Sequence, residues 1–208
     1  MTLRVRILAY DGVEALDFAG PFEVFTTASR VSQRMNPGTP APFEVASVAL
    51  ANGGHPVQAR AGLRLLADHD LAASPQADLL VVPGGVVDAP MASDATLRWI
   101  AECASGAQLA ASVCTGVFLL AKSGVVTHEA VTTHWEDIAD LRAQFPLLDV
   151  RESERWVDSG HVVSSAGISA GIDMSLYLVE RLAGRALAER TARQMDCPWN
   201  SRSSHPSA

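Results

Sequence analysis

Long apolar runs are missing from this 208-residue chain, and no stretch approaches the length needed to span a bilayer. A charged n-region, an apolar core and a small-residue cleavage site are also missing at the start, where Arg4 and Arg6 enter the chain almost at once. A cytoplasmic protein with no membrane partner is therefore expected. Positive charge is scarce: 16 Lys and Arg against 23 Asp and Glu give a formal net charge of −7, and the cations form no stripe to track a phosphate backbone. Nucleic acid is not expected as a partner. Cysteine is limited to Cys103, Cys114 and Cys197, an odd number without C-x-x-C spacing, which argues against a disulfide framework and against a zinc site.

What is present reads as one α/β domain over residues 1–200, with a frayed tail at 201–208. Hydrophobic residues make up 48% and charged ones 19%, a globular balance with enough apolar surface left over to suggest a homodimer. Residues 3–10 alternate and then run apolar, predicting a first, central strand that stops at Asp11-Gly12. Pro21 followed by Phe22, Val24, Phe25 and Ala28 predicts a helix beginning at that proline, which leaves Asp17 in the loop between strand and helix. Residues 43–50 form the next strand. Gly53-Gly54 and residues 63–66 suggest a hairpin-like excursion before a helical turn near 70–73. Residues 78–82 are a buried strand ending at Pro83-Gly84-Gly85, and residues 93–104 form a helix behind a Ser93 cap, with Cys103 packed beside its apolar face.

The most informative stretch is Ala110-Ala111-Ser112-Val113-Cys114-Thr115-Gly116-Val117-Phe118. It opens as a buried strand, ends at helical spacing and sets a thiol at the junction, with small residues two positions to either side. A turn of this type lifts a nucleophile out of the sheet, and the helix start that follows is expected to favour its thiolate. Asp17 reads either as a turn or capping residue or, in the apolar company of Leu16 and Phe18, as a buried carboxyl that keeps its proton. His134, where a short strand at 130–133 meets a helix over 136–145, is either a partner for the thiol or a cap. Residues 156–157 and 161–163 form a hairpin, residues 166–173 lead into a long helix, and a final helix starts near 186. Strands alternating with helices imply a doubly wound, mostly parallel sheet sandwiched by helices, in which strand-end loops gather along one edge and bring Asp17 to Cys114.

Five blocks in order resemble the ThiJ/PfpI superfamily with its class I glutamine amidotransferase-like, flavodoxin-like fold. They are Leu16-Asp17-Phe18-Ala19-Gly20-Pro21, Pro83-Gly84-Gly85, Ser112-Val113-Cys114-Thr115-Gly116, Thr132-Thr133-His134-Trp135 and Ala166-Gly167-Ile168-Ser169-Ala170-Gly171-Ile172-Asp173. Within it the acid, elbow and Thr-Thr-His-Trp blocks look most like the isocyanide hydratase group and the sensor halves of AraC-type regulators. Ser164-Ser165-Ala166 departs from the hydratases, which often carry more glycine in that part of the pocket wall. The resemblance implies Cys114 as nucleophile, Asp17 as acid and base, and Thr115 in support, its hydroxyl steadying the thiolate or Asp17. Charge is then stabilised by the N–H groups of Gly85 and Thr115, and the pocket is shaped by Gly84, His134, Gly167 and Ile168. Thr115 stands where peptidase members carry His, which argues against a peptidase. No room remains for the helix-turn-helix half of a regulator, so a stand-alone enzyme acting on a small molecule is expected, with no metal or organic cofactor. The implied reaction is hydration of an isocyanide to an N-formamide. The alternatives are a glyoxalase-type hydration of 2-oxoaldehydes using His134, and a sensor whose pocket binds a small ligand or whose thiol is oxidised reversibly.

Overall fold

The computed structural model describes residues 1–50, 55–74, 76–199 and 201. The expectations for Gly53-Gly54 and for all but the first residue of the tail lie outside the described residues. In chain order the elements are β1 (Leu3–Ala9), α1 (Ala15–Met35), β2 (Phe43–Ala49), β3 (Val57–Gln58), β4 (Arg64–Leu65), β5 (His69–Asp70) and β6 (Leu79–Val82). There follow α2 (Asp88–Met91), α3 (Asp94–Gly106), β7 (Leu109–Val113), α4 (Gly116–Lys122), β8 (Ala130–Val131), α5 (Ile138–Gln144) and β9 (Asp149–Val150). The chain closes with β10 (Trp156–Asp158), β11 (Val162–Ser165), α6 (Ala170–Ala183) and α7 (Arg185–Gln194).

Seven strands form one sheet in the order β10-β11-β7-β6-β1-β2-β5. Every neighbouring pair is parallel except the β10–β11 hairpin. Helices cover both faces, which is why the inner strands read as unbroken apolar runs: successive side chains enter opposite cores. Leu8, Leu80 and Val82 join Ile100, Phe118, Leu119 and Leu141 on one side. Ile7, Leu79 and Val81 join Phe25, Met174, Leu178 and Leu187 on the other. Each fully buried aliphatic side chain contributes about 2 kcal/mol of transfer free energy, so neither face is dispensable.

Ser93 caps α3 as its position predicts, accepting from the Thr96 N–H at 3.2 Å. Cys103 packs against the first core. The excursion is present as the antiparallel β3–β4 pair, and a 3-10 turn spans Leu71–Ala73.

Three details differ from expectation. Helix α1 begins at Ala15, with Pro21 inside it, so Asp17 sits in its first turn and not in a loop. The start is set from outside the helix, where the Glu14 N–H donates to the Gly84 carbonyl at 2.8 Å, and Pro21 removes the bond to the Asp17 carbonyl. The helix expected over 136–145 is a 3-10 turn, Trp135–Asp137, followed by α5. β8 falls within the strand expected over 130–133, but it pairs in parallel with β9, a segment too short to show periodicity. Among the described residues no helix is long and apolar enough to cross a membrane.

Candidate active site

The sheet order places β6 between β1 and β7, so the loops at their carboxyl ends lie side by side. Two strand spacings separate β1 from β7, about 10 Å, and a carboxyl group from one side must reach a thiol on the other across the turn that ends β6. Gly84 makes that crossing possible. A Cβ there would lie 2.8 Å from Asp17 Oδ2, 2.6 Å from the Thr115 nitrogen and 2.7 Å from Thr115 Oγ1.

Cys114 occupies a left-handed conformation, φ 55°, at the strand-to-helix turn, a strained state for a residue with a Cβ. The surrounding bonds hold it there. Its N–H donates to the Ser165 carbonyl at 3.1 Å, and its carbonyl accepts from Thr133 Oγ1 at 3.0 Å. Gly116 lets α4 start close against the neighbouring strand end, since a Cβ at that position would meet the Val82 carbonyl oxygen at 2.0 Å. Thr133 was visible in the sequence only as part of a block. Its role as the tether of the elbow needed the fold.

Asp17 is wholly buried at 0% exposure, and neither carboxyl oxygen makes a hydrogen bond of good geometry. Its polar neighbours are the Cys114 thiol and the Gly84 N–H, and among the described residues no cation pairs with it. Burial pushes its pKa up to about 7; the Glu14 carboxylate adds to the rise, while the thiol and the Gly84 N–H oppose it. The thiol is not activated in the way the helix start predicts. Burial first, then the charge on Asp17, pushes Cys114 up to about 12, and the Thr115 N–H aimed at the sulfur is outweighed. Helix α4 has only seven residues, and its end field cannot offset the loss of water around a side chain that is 8% exposed. Between about pH 7 and about pH 12 the pair therefore holds a single proton and a single negative charge.

Two expected donors are engaged elsewhere. The Gly85 N–H donates to Thr115 Oγ1 at 2.9 Å, and the Thr115 hydroxyl donates to the Gly85 carbonyl, also at 2.9 Å. This reciprocal pair ties the β6 turn to the elbow, so Gly85 offers no free N–H to developing charge and the Thr115 hydroxyl steadies neither the thiol nor Asp17. Gly85 itself is required, with φ 137° and the Gly12 carbonyl oxygen 2.3 Å from where a Cβ would stand.

His134 caps the 3-10 turn. Its Nδ1 lies 3.4 Å from the Glu136 N–H that donates to it, and 3.5 Å from Asp137 Oδ2. Its ring packs on Gly167, where a Cβ would stand 2.0 Å from Cδ2. Among the described residues no hydrogen bond joins His134 to Cys114 or Asp17. Ile168 follows with φ 37° and is partly exposed.

Tyr10, which directly follows β1, is a neighbour that sequence reasoning passed over. It is buried and its hydroxyl donates to the Pro83 carbonyl at 3.0 Å. Burial holds its phenol well above the ordinary value, with smaller contributions from Asp17 and Cys114. Its only sequence signal was an aromatic at a strand end. Among the described residues no group of three or more His, Cys, Asp or Glu side chains is arranged to hold a metal ion.

Residues 3–181 match the model of the DJ-1/PfpI family. The chain belongs to the DJ-1/PfpI family. Isonitrile hydratase of Pseudomonas putida is 29% identical over 199 residues, covering 94% of this chain and 79% of that protein. The HTH-type transcriptional regulator CdhR of Pseudomonas aeruginosa is 30% identical over 147 residues, 71% of this chain but 43% of the regulator. Among solved structures, a THiJ/PfpI family protein from Pseudomonas syringae superposes with a TM-score of 0.79 at 25% identity, covering 99% of this chain and 82% of that one. Drosophila melanogaster DJ-1beta superposes with a TM-score of 0.80 at 23% identity, covering 96% of this chain and all of that one, a likeness of fold. The DJ-1/PfpI family thus includes both an enzyme and regulators.

Proposed function

We propose that this DJ-1/PfpI protein hydrates a small isocyanide to its N-formamide, with Cys114 as nucleophile and Asp17 as proton carrier. The observation that carries the reading is the buried thiol and carboxyl in contact on a positive-φ elbow, sharing one proton near neutral pH. Similarity to an isonitrile hydratase over 94% of the chain supports it.

The chemistry does not require a standing thiolate. As the sulfur bonds to the terminal carbon of R–N≡C, its proton passes to Asp17, and Asp17 delivers that proton to the same carbon, leaving the thioimidate R–N=CH–S–Cys114. Water then adds to that carbon with Asp17 taking one of its protons. The C–S bond breaks, the nitrogen gains a proton and R–NH–CHO leaves, with the thiol restored. A thiol with a pKa near 12 is a poor nucleophile by itself but a strong one once deprotonated, and the adjacent acceptor with a pKa near 7 supplies the deprotonation only when the S–C bond forms. The Thr115 N–H aimed at the sulfur stabilises charge there.

A sensor is the second reading, favoured by the similarity to a transcriptional regulator. Glyoxalase chemistry through His134 has less support because the Nδ1 of that ring is engaged as a cap. Incubation of the wild type and of Cys114→Ala with an aryl isocyanide and with methylglyoxal separates the three. Formamide from the wild type alone supports the proposal. Lactate instead transfers the function to glyoxalase, and neither product leaves the sensor.

A further inference from the structure

We propose that the cavity between the carboxyl ends of β1 and β2 and the α2–α3 corner is a second small-molecule site, whose occupant restrains the turn beside Cys114. It fits a neutral, ring-sized molecule with one hydrogen-bonding group. The inference goes beyond the isocyanide chemistry and does not depend on it.

The strand order reverses at β1: the chain passes outward to β2 on one side and from β6 to β7 and β11 on the other. Next to such a reversal the connections diverge and leave a crevice at the carboxyl edge. A cavity of about 200 Å³ lies there, and neither Cys114 nor Asp17 lines it. The buried part of its lining is apolar, with Leu8, Ala49, Val57 and Pro90 beside the ring of Tyr10. A dry cavity of about 150 Å³ is enough to hold benzene, so this space suits one ring with a substituent.

The polar side chains of the lining stand at two points, Asp11 and the Ser93–Thr96 pair at the start of α3. Ser93 Oγ accepts from the Thr96 N–H at 3.2 Å and from the Thr96 hydroxyl at 2.9 Å, which leaves its own hydrogen to donate. Asp11 Oδ1 accepts the Gln58 N–H at 2.8 Å, which leaves Oδ2 to accept. A phenolic hydroxyl satisfies either group. A carboxylate on the ligand instead meets the charge of Asp11.

Hydrogen bonds and chain continuity fasten this lining to the turn at the thiol. The Tyr10 hydroxyl donates to the Pro83 carbonyl at 3.0 Å. Just beyond, the Val86 N–H donates to the Gly12 carbonyl at 2.9 Å, and the Glu14 N–H to the Gly84 carbonyl at 2.8 Å. Ala89 and Pro90, also in the lining, belong to the segment that leaves the same turn. Gly84 in turn stands close against Thr115 and the Asp17 carboxyl. Cys114 is only 8% exposed, and an opening that uncovers it by moving this turn also takes the cavity apart. A ligand that needs the cavity intact suppresses that opening by a factor of one plus the ratio of its concentration to Kd.

The test is a titration of the full chain with phenol, toluene and benzoate near neutral pH, followed by amide NMR. Phenol is expected to saturate with a Kd of about 1 mM or tighter, shifting residues 8–11, 49–50 and 89–96. Toluene should bind several-fold more weakly and benzoate at least about tenfold more weakly. Ala89→Phe, which sets a bulky ring in the lining, should abolish phenol binding with the rest of the spectrum retained, and Cys114→Ala should keep it within about twofold. At about ten times Kd, hydrogen exchange at the Gly84, Gly85 and Cys114 amides should slow at least about threefold more than at β10. Tyr10→Phe should still bind phenol and lose that extra slowing. Absence of saturation below about 10 mM, binding that survives Ala89→Phe, or binding that disappears in Cys114→Ala overturns the site. Toluene or benzoate binding as tightly as phenol overturns the ligand class, and equal slowing at the turn and at β10 overturns the restraint.

Discussion

Cys103 and Cys114 are both sheltered thiols, and both are pushed upward by burial, to about 11 and about 12. Acidity alone does not set the candidate nucleophile apart from the other. What separates them is placement. Cys103 faces the core from the third turn of a regular helix with a backbone group of Ala77 beside it. Cys114 stands on a strained turn against a carboxyl that is ready to take its proton. On the proposed reading Cys114 is set apart by its proton acceptor, not by a lowered pKa.

The most severe way to break the comparison is to exchange the two thiols' fates. Cys114→Ala is expected to lower formamide production at least about 10³-fold, with Cys103→Ala remaining within about twofold of the wild type. Equal losses in steady-state assays would remove the distinction.

Asp17→Asn comes next, with a loss of at least about 100-fold in turnover. In the wild type, activity should fall as pH drops through about 7, because a second proton fills the acceptor. Stability moves the opposite way. The folded carboxyl titrates near 7 against an ordinary 3.8, so the folded state holds the extra proton between those values. Stability therefore falls as pH rises from about 4 to about 7, by a few kcal/mol. Thermal melts of Asp17→Asn should be several degrees higher than wild type at pH 8 and converge with it near pH 3. A mutant that is less stable at pH 8 contradicts the account of a buried, unpaired carboxyl.

Gly116→Ala sharpens the point about placement, because it leaves both groups chemically intact. A Cβ 2.0 Å from the Val82 carbonyl forces the elbow apart, at a cost of roughly 3 kcal/mol in urea unfolding. Thr115→Val should have the smallest effect, about 1–2 kcal/mol, from breaking the reciprocal bonds with Gly85 and orphaning its N–H. If Thr115→Ser restores stability and turnover together, the hydroxyl acts by holding the turn.

Much of this was legible beforehand. Apolar runs at residues 78–82 and 110–113 announce strands covered on both sides, and the small residues Ser112 and Gly116 either side of Cys114 announce a tight elbow, because local sterics leave few alternatives. The start of α1 was misread because proline at a first turn is a sound local rule, overridden here by the bond from Glu14 to Gly84, seventy residues away in sequence. His134 remained ambiguous because a strand-to-helix junction suits a cap and a catalytic group alike: its ring nitrogen accepts from the turn it begins, and only the packing of its face on Gly167 needed the fold.

Sequence alone determined the alternation of elements and the meeting of Asp17 with Cys114 at one edge of the sheet, since hydrophobic period and turn chemistry are local properties that parallel pairing then arranges. Only the tertiary structure decided the proton's place and the partners of Gly85 and Thr115. Those depend on how much water is removed and which charge stands nearest, quantities that arise between segments distant in the chain.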